Sequence, residues 1–215
     1  MELVVTKIFQ SEIKVVKMSY EEADQALKED QALSKLNAIA NSHKAFRNEN
    51  GAIKLDLPNV DVKLKNKKVN IRVQTESESR QLVAEMMVIA GRVIAQYATE
   101  NNISMPFLTQ EVGSFSEDII QNKENLTATQ AFQATRCFKQ SKITPKSSLH
   151  AGLGLSCYVR VTSPIRRYLD LLTQQQLMRF INNQSTLDDA QIKQRITQFN
   201  AVISRVNKAT KQSIE

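Results

Sequence analysis

The residues in this sequence with the clearest capacity for chemistry are Arg166 and Arg167, adjacent within the stretch 149–177, LHAGLGLSCYVRVTSPIRRYLDLLTQQQL. Arginine grips phosphate through a planar fork of N–H donors. Gly152 and Gly154 allow a tight bend or a close backbone approach. The β-branched and aromatic run from Tyr158 to Val161 predicts a short strand. Thr162-Ser163-Pro164 then predicts a helix start, with Ser163 as cap and Pro164 at the first helical position. A helix begun there places Ile165, Leu169, Leu172 and Gln176 on one side and Arg166 one turn from Asp170. Both arginines would sit in its first turn, against the helix dipole, at a cost of up to about 1 kcal/mol. Two cations beside free amide donors make an anion-binding corner. A blander arrangement is equally open to the same residues: Arg166 pairs with Asp170, and Arg167 is a solvated surface charge.

The spacing of this stretch resembles the catalytic domain of the ribonuclease II/R (RNB) exoribonucleases. That family carries His-x-Gly-Leu-Gly-Leu, then Tyr-x-x-x-Thr-Ser-Pro-Ile/Leu-Arg-Arg/Lys-Tyr-x-Asp-Leu. His150, Gly152 to Leu155, Tyr158, Thr162 to Tyr168, Asp170 and Leu171 stand in those places. The resemblance implies an α+β fold, with short antiparallel strands packed on several long helices, and hydrolysis of single-stranded RNA from its 3′ end. It implies a catalytic role for Arg166 in stabilising charge on the scissile phosphate, and RNA-binding roles for Arg167, Thr162, Ser163 and Tyr158.

The element best placed to back this stretch is a helix from about Ser79 to Ala98. Leu82, Met86, Ile89, Ala90, Val93 and Tyr97 form its apolar stripe, while Glu85, Arg92 and Gln96 repeat on another side. Glu85 lies between Leu82-Val83 and Met86-Met87, at the border of the core, where an unpaired carboxylate is costly. From spacing alone it pairs with Arg92 or points to water. The run Ser79 to Met87 also resembles the family segment Ser-x-x-Leu-Val-x-Glu-Met-Met, whose glutamate contacts RNA near its 3′ end, which implies RNA binding for Glu85.

The remaining elements read from pattern. Residues 2–9 and 12–17 alternate apolar and polar side chains and predict two strands. Ser19 and Glu22 form a capping box before a helix, and Leu33, Leu36, Ile39, Ala40 and Phe46 continue at helical spacing. The run 60–73 predicts a hairpin turning at Asn66-Lys67. Its projecting Lys63, Lys65, Lys67, Lys68 and Arg72 suit a solvated edge or, less readily, a rail for an RNA backbone. Pro106-Phe107 ends an extended segment, and residues 114–135 predict two short helices. Asn182-Asn183 closes one helix, and Thr186 with Asp189 caps a last one whose Ile192, Ile196, Phe199, Ile203 and Val206 share a seam. Ser11, Ile13, Ser19 to Glu22, Arg47 and Gly51-Ala52-Ile53 also resemble the family's pattern.

Composition sets wider bounds. The 215 residues suit one good core, and 29 Lys and Arg against 22 Asp and Glu give a net charge of +7, which fits a nucleic-acid or other anionic partner. Cys137 and Cys157 form no CxxC pair and the only histidines are His43 and His150, so no zinc site assembles by the usual spacings. The first residues show neither a signal peptide nor a membrane span, which leaves the cytoplasm as the expected location.

The family's magnesium is held by an Asp-x5-Asp-x-Asp-Asp run, and no such run is present. Asp56 and Asp61 are five apart without the rest, and Asp188-Asp189 stand in a helix cap. Magnesium demands oxygen ligands in near-octahedral geometry. The expectation is therefore one partial RNB-type domain over 1–215, without the metal-binding segment and the flanking RNA-binding barrels. Three further positions depart from the family: Leu108 where an Arg precedes Gln110, Arg160 where His or Gln is usual, and Gln174 where a His follows the Asp-Leu. Three functions stay open. The chain is a truncated or split exoribonuclease needing aspartates from a second chain, a non-catalytic single-stranded RNA-binding protein, or a structural remnant kept for a protein contact.

Overall fold

Side-chain caps decide where most helices begin. The computed structural model describes residues 6–52, 60–65, 68–73, 77–114 and 127–212. Helix α1, Tyr20–Ala26, starts at the expected capping box: the Ser19 hydroxyl accepts the Glu22 amide and Glu22 accepts the Ser19 amide. Helix α2, Gln31–Glu49, starts where Asp30 accepts the amides of Ala32 and Leu33. Gly51, at φ +87°, turns the chain away from its end. Strands β1, Val60–Lys65, and β2, Lys68–Val73, pair antiparallel, with Lys65 opposite Lys68. That register suits a turn at Asn66-Lys67, but the turn and the side chains of the basic row lie outside the described residues.

Helix α3, Glu78–Glu100, is capped by Ser77. Strand β3, Phe107–Thr109, pairs antiparallel with β4, Lys142–Thr144. Between them α4, Ala128–Cys137, begins at a second capping box made by Thr127 and Gln130; its predicted companion falls outside the described residues. After a single turn of 3-10 helix at Ala151–Leu153 come α5, Tyr168–Ile181, and α6, Asp189–Gln212. Asn182 and the left-handed Asn183 close α5 as expected. The cap of α6 is Asp188 and not Thr186 with Asp189: Asp188 and Gln191 exchange side-chain to backbone bonds, while Asp189 takes the Ser104 hydroxyl.

The largest core gathers Ala95, Ala98, Ile103, Met105, Phe107, Cys157, Val159, Val161 and Leu177 between α3, β3 and α5. Leu27, Ala40 and Leu82 join α1, α2 and α3, and Leu172, Ile192 and Ile196 join α5 to α6. Gln176 is wholly buried among them, yet its amide bonds the carbonyls of Ser104 and Leu187 and accepts the Leu187 amide, as a buried amide must. Helix α3 is long and apolar enough to cross a membrane by length and composition. Its buried side is taken up by α2 and the core, and it carries Glu85 and Arg92 along its length, so it is a core helix.

Several expectations give way to the structure. The two strands expected over 2–9 and 12–17 do not form among the described residues: 6–19 meet no ladder partner there, Phe9, Ile13, Val15 and Val16 are exposed, and 2–5 lie outside the described residues. On α2 Leu36 and Ile39 are also exposed, and the buried face runs through Ala40 and His43. The run 158–161 is held by a single bridge, Phe107 to Val159, and not by a strand ladder. The fully buried residues of α3 are Ser79, Leu82, Glu85, Gly91, Ala95 and Ala98; of the predicted stripe Leu82 is among them, and Met86, Ala90 and Tyr97 pack half-buried beside the cores. The small residues of α3 admit another stretch of chain, and a Cβ at Gly91 would lie 2.4 Å from the Val159 carbonyl and 2.3 Å from the Tyr158 ring.

Gly91→Ala therefore has a definite expected outcome. Helix propensity favours alanine by about 1 kcal/mol, whereas overpacking against fixed neighbours costs roughly 1–3 kcal/mol. The contact with a backbone carbonyl should win. Urea unfolding should show a lower midpoint for the variant; an equal or higher midpoint would mean that the 158–159 segment yields freely.

Candidate nucleic-acid interface

Gln110 and Arg47 shape the glycine-rich bend from two sides. Gln110 donates its amide to the Leu149 carbonyl at 2.9 Å, accepts the Ala151 amide at 2.9 Å, and accepts the Gly152 amide on its side-chain oxygen at 3.0 Å. Its side-chain nitrogen reaches the Lys139 carbonyl at 2.8 Å. The bend closes with the His150 amide on the Leu155 carbonyl at 2.8 Å. Gly154 sits at φ +63°, and a Cβ there would lie 2.3 Å from the Arg47 carbonyl. Both the left-handed backbone and the space require glycine.

Arg47 connects this bend to a buried carboxylate. Its Nε and Nη2 donate to the two oxygens of Glu85 at 2.8 and 2.6 Å, while Nη1 donates to the Leu153 carbonyl at 3.3 Å. His43, one turn earlier on α2, donates from Nδ1 to Glu85 Oε1 at 2.5 Å. Glu85 is 6% exposed and His43 1%, so the bidentate ion pair is dry and directional. Burial pushes the Glu85 carboxyl up, but the bonds and charges of His43 and Arg47 outweigh it and hold the pKa at about 2. The partner is thus not Arg92, which lies over the Phe46 ring at 4.3 Å.

Past the bend, the extended run sends alternate side chains to opposite sides. Cys157, Val159 and Val161 are buried, Tyr158 is half-buried, and Arg160 and Thr162 are exposed. The segment is pinned by the Leu108 amide on the Tyr158 carbonyl at 2.9 Å and by Gln174 on the Val161 carbonyl at 2.8 Å. Gln174, one of the departures from the family pattern, therefore holds the backbone of the site with its side chain, and Leu108, another, does so only through its main-chain amide. The Tyr158 ring meets His150 edge to face at 5.8 Å between centroids. Burial pushes the Tyr158 phenol up in pKa; Arg160, Arg167 and Arg47 pull it down, and Asp170 pushes it further up.

The arginine pair is presented differently from the expectation. Ser163 and Pro164 do not open the helix; residues 164–166 form a separate turn in which the Ser163 carbonyl accepts the amides of Arg166 and Arg167 at 3.3 and 3.0 Å. Arg167 is extended at the cap position of α5, with no side-chain cap bond. Asp170 is wholly buried and accepts the Ser163 amide at 2.8 Å, so it does not pair with Arg166. The Asp170 carboxylate in the first turn of α5 draws the preceding turn onto the helix and sets a negative charge at the positive end of the dipole, where Arg167 stands. Ile165, expected on the packed side, is fully exposed. Arg166 is exposed and Arg167 half-buried, with no ion-pair partner among the described residues.

Tyr158, Thr162, Ser163, Arg166 and Arg167 therefore follow one another along one continuous segment, while Glu85 lies behind it, linked through Arg47. Glu85 is buried, and three of its lone pairs are taken by His43 and Arg47. The roles of His43 and Asp170 were not foreseen. The available signal was the spacing of Ala40, His43 and Arg47 on one face of α2. The donor set does not fit magnesium. Glu85 is bonded through both oxygens, Asp170 holds a backbone amide, and no group of three His, Cys, Asp or Glu assembles among the described residues.

The Glu85 ion pair should be visible in stability against pH. A carboxyl held at about 2 instead of its ordinary 4.5 stabilises the fold fully above pH 4.5, and that stability is lost as pH falls toward 2. The difference corresponds to on the order of 3 kcal/mol. Urea midpoints should fall through this window, and Glu85→Gln should remove that part of the slope. Arg47→Ala, which strands a buried charge, should cost about 3–5 kcal/mol. An unchanged slope in Glu85→Gln would contradict the assignment.

Comparison with known proteins agrees with this geometry. The RNB domain family model matches residues 1–183, ending before α6. An uncharacterised ribonuclease of Synechocystis sp. is 32% identical over 173 residues, covering 78% of this chain and 26% of the relative. An active-site mutant of the Dss1 exoribonuclease from Candida glabrata superposes with a TM-score of 0.73 at 20% identity, over 84% of this chain and 26% of that one. Mycoplasma genitalium RNase R, solved with ribose-methylated single-stranded RNA, gives a TM-score of 0.68 at 17% identity, over 82% of this chain and 35% of that one. The chain thus spans about a quarter to a third of the length of these proteins. By fold and by the matched residues, this chain belongs to the RNB domain family.

Proposed function

We propose that the chain grips single-stranded RNA along the segment from Tyr158 to Arg167 and takes part in its 3′-to-5′ hydrolytic degradation. One observation carries the reading. Arg166 and Arg167 stand on a turn fixed by a buried carboxylate, without ion-pair partners among the described residues. Such guanidiniums are uncompensated and open to a phosphate, which arginine takes through its planar fork. The related RNase R solved with single-stranded RNA supports RNA as the ligand class.

In this proposal Arg166 stabilises negative charge building on the scissile phosphate. Arg167 and the hydroxyls of Thr162 and Ser163 hold the backbone, and the Tyr158 ring offers a base a stacking face. Glu85 serves the RNA site from behind, by fixing Arg47 and through it the Leu153 carbonyl. The family is generally dependent on magnesium, which supplies the activated nucleophile and clamps the displaced oxygens. Since the described donors do not fit that ion, the aspartates come from outside them, and a second chain bearing the aspartate run is the partner this proposal names. The same donor set favours a second reading, in which the chain binds RNA without cleaving it. The exposed Phe9, Ile13, Val15 and Val16 favour a third, a protein contact made along residues 6–19.

Two substitutions separate catalysis from binding. With an aspartate-bearing segment added, Arg166→Ala should slow single-turnover cleavage by roughly a hundred- to a thousand-fold while RNA affinity falls only modestly. Arg167→Ala should do the reverse, weakening binding and lowering the dependence of log affinity on log salt by about one unit. Equal affinity losses in both, with no separate effect on rate, would show that Arg166 only binds. Salt-insensitive binding by the wild-type chain would overturn the RNA reading altogether.

A further inference from the structure

We propose that Arg160 is a third phosphate-binding arginine of this chain, contacting the RNA backbone beside Arg167. The inference rests on the RNA reading above and adds to it a contact that the family pattern lacks, since His or Gln is usual at this place.

The geometry comes from the alternation of the extended run. Cys157, Val159 and Val161 are buried and the Tyr158 ring packs against Gly91 and His150, while Arg160 and Thr162 are exposed. Arg160 therefore stands in the chain between two residues of the RNA segment, exposed as Thr162 is. Its root is rigid. The Val159 amide points to the Gly91 carbonyl at 3.4 Å, and the carbonyls of Tyr158 and Val161 are held by Leu108 and Gln174. Only the guanidinium and its stem are free to swing toward a ligand.

The charges point the same way. Arg160 and Arg167 both act on the Tyr158 ring, and Arg160 also acts on His150. Asp170, the acid that also acts on that ring, is wholly buried and holds the Ser163 amide. Arg160 has no ion-pair partner among the described residues. Uncompensated guanidiniums on one face repel one another until an anion arrives. A polyanion with regularly spaced phosphodiesters relieves several of them together, and arginine does so with a charge that persists at every physiological pH, unlike histidine or glutamine.

The test uses the full 215-residue chain and a short fluorescent oligouridylate, with affinity measured by anisotropy over a range of salt. Arg160→Ala should weaken binding several-fold at low salt and lower the salt dependence by about 0.7 for a single strand. Arg160→Lys should restore most of that dependence, because the charge returns without the fork. Arg167→Ala is the internal standard. If it lowers the salt dependence while Arg160→Ala leaves both affinity and salt dependence unchanged, the role of Arg160 is overturned and the RNA reading stands. If the wild-type chain shows no salt-dependent binding, the RNA reading falls and this inference falls with it.

Discussion

A carboxylate buried between two helices, with each oxygen taken by a cation or an imidazole, is the interaction on which the rest of this architecture depends. Glu85 lies on the inner side of α3, and it is tolerated there because His43 and Arg47 reach it from α2. The same guanidinium continues to the Leu153 carbonyl, so one planar group ties α2 and α3 to the glycine-rich bend. An ion pair of this kind need not add much net stability over an apolar contact. It does add direction. The carbonyl of Arg47 lies so close to Gly154 that no side chain fits there, and the bend can pass over α2 in only one way.

From that anchor the functional face follows by short steps. Gln110 completes the bend, the alternation of the next six residues sends valines inward and polar groups outward, and Asp170 draws the arginine turn against α5. Buried carboxylates thus hold backbone and cations in place, and the exposed guanidiniums meet the solvent. The division has an energetic logic. A charge that must wait for a ligand is cheap to keep in water, whereas the groups that position it gain strength from being dry.

Much of this was legible in the sequence. The capping box at Ser19, the long helix read over about Ser79 to Ala98, the antiparallel strand pair and the Asn182-Asn183 stop are all local signals, and the gapped motif from His150 to Leu171 marked the family. What was not legible depended on contacts distant in sequence. Nothing near Glu85 announces His43 and Arg47, forty residues away on another helix. Ser163-Pro164 looks like a helix start, but a carboxylate at Asp170 draws the Ser163 amide into a separate turn, and Ile165 is turned to solvent. The alternation at 6–17 is as good a strand pattern as any in the chain, yet a strand needs a neighbour and the described residues supply none.

The central claim is that RNA lies along the segment behind which Glu85 is anchored, and photocrosslinking tests it most directly. A short single-stranded RNA carrying 4-thiouridine would be irradiated with the chain and the modified peptides mapped by mass spectrometry. Crosslinks concentrated between His150 and Tyr168, competed by unlabelled RNA and reduced by salt, are the predicted result. Crosslinks confined to the lysine-rich hairpin of β1 and β2, or to α6, would contradict it.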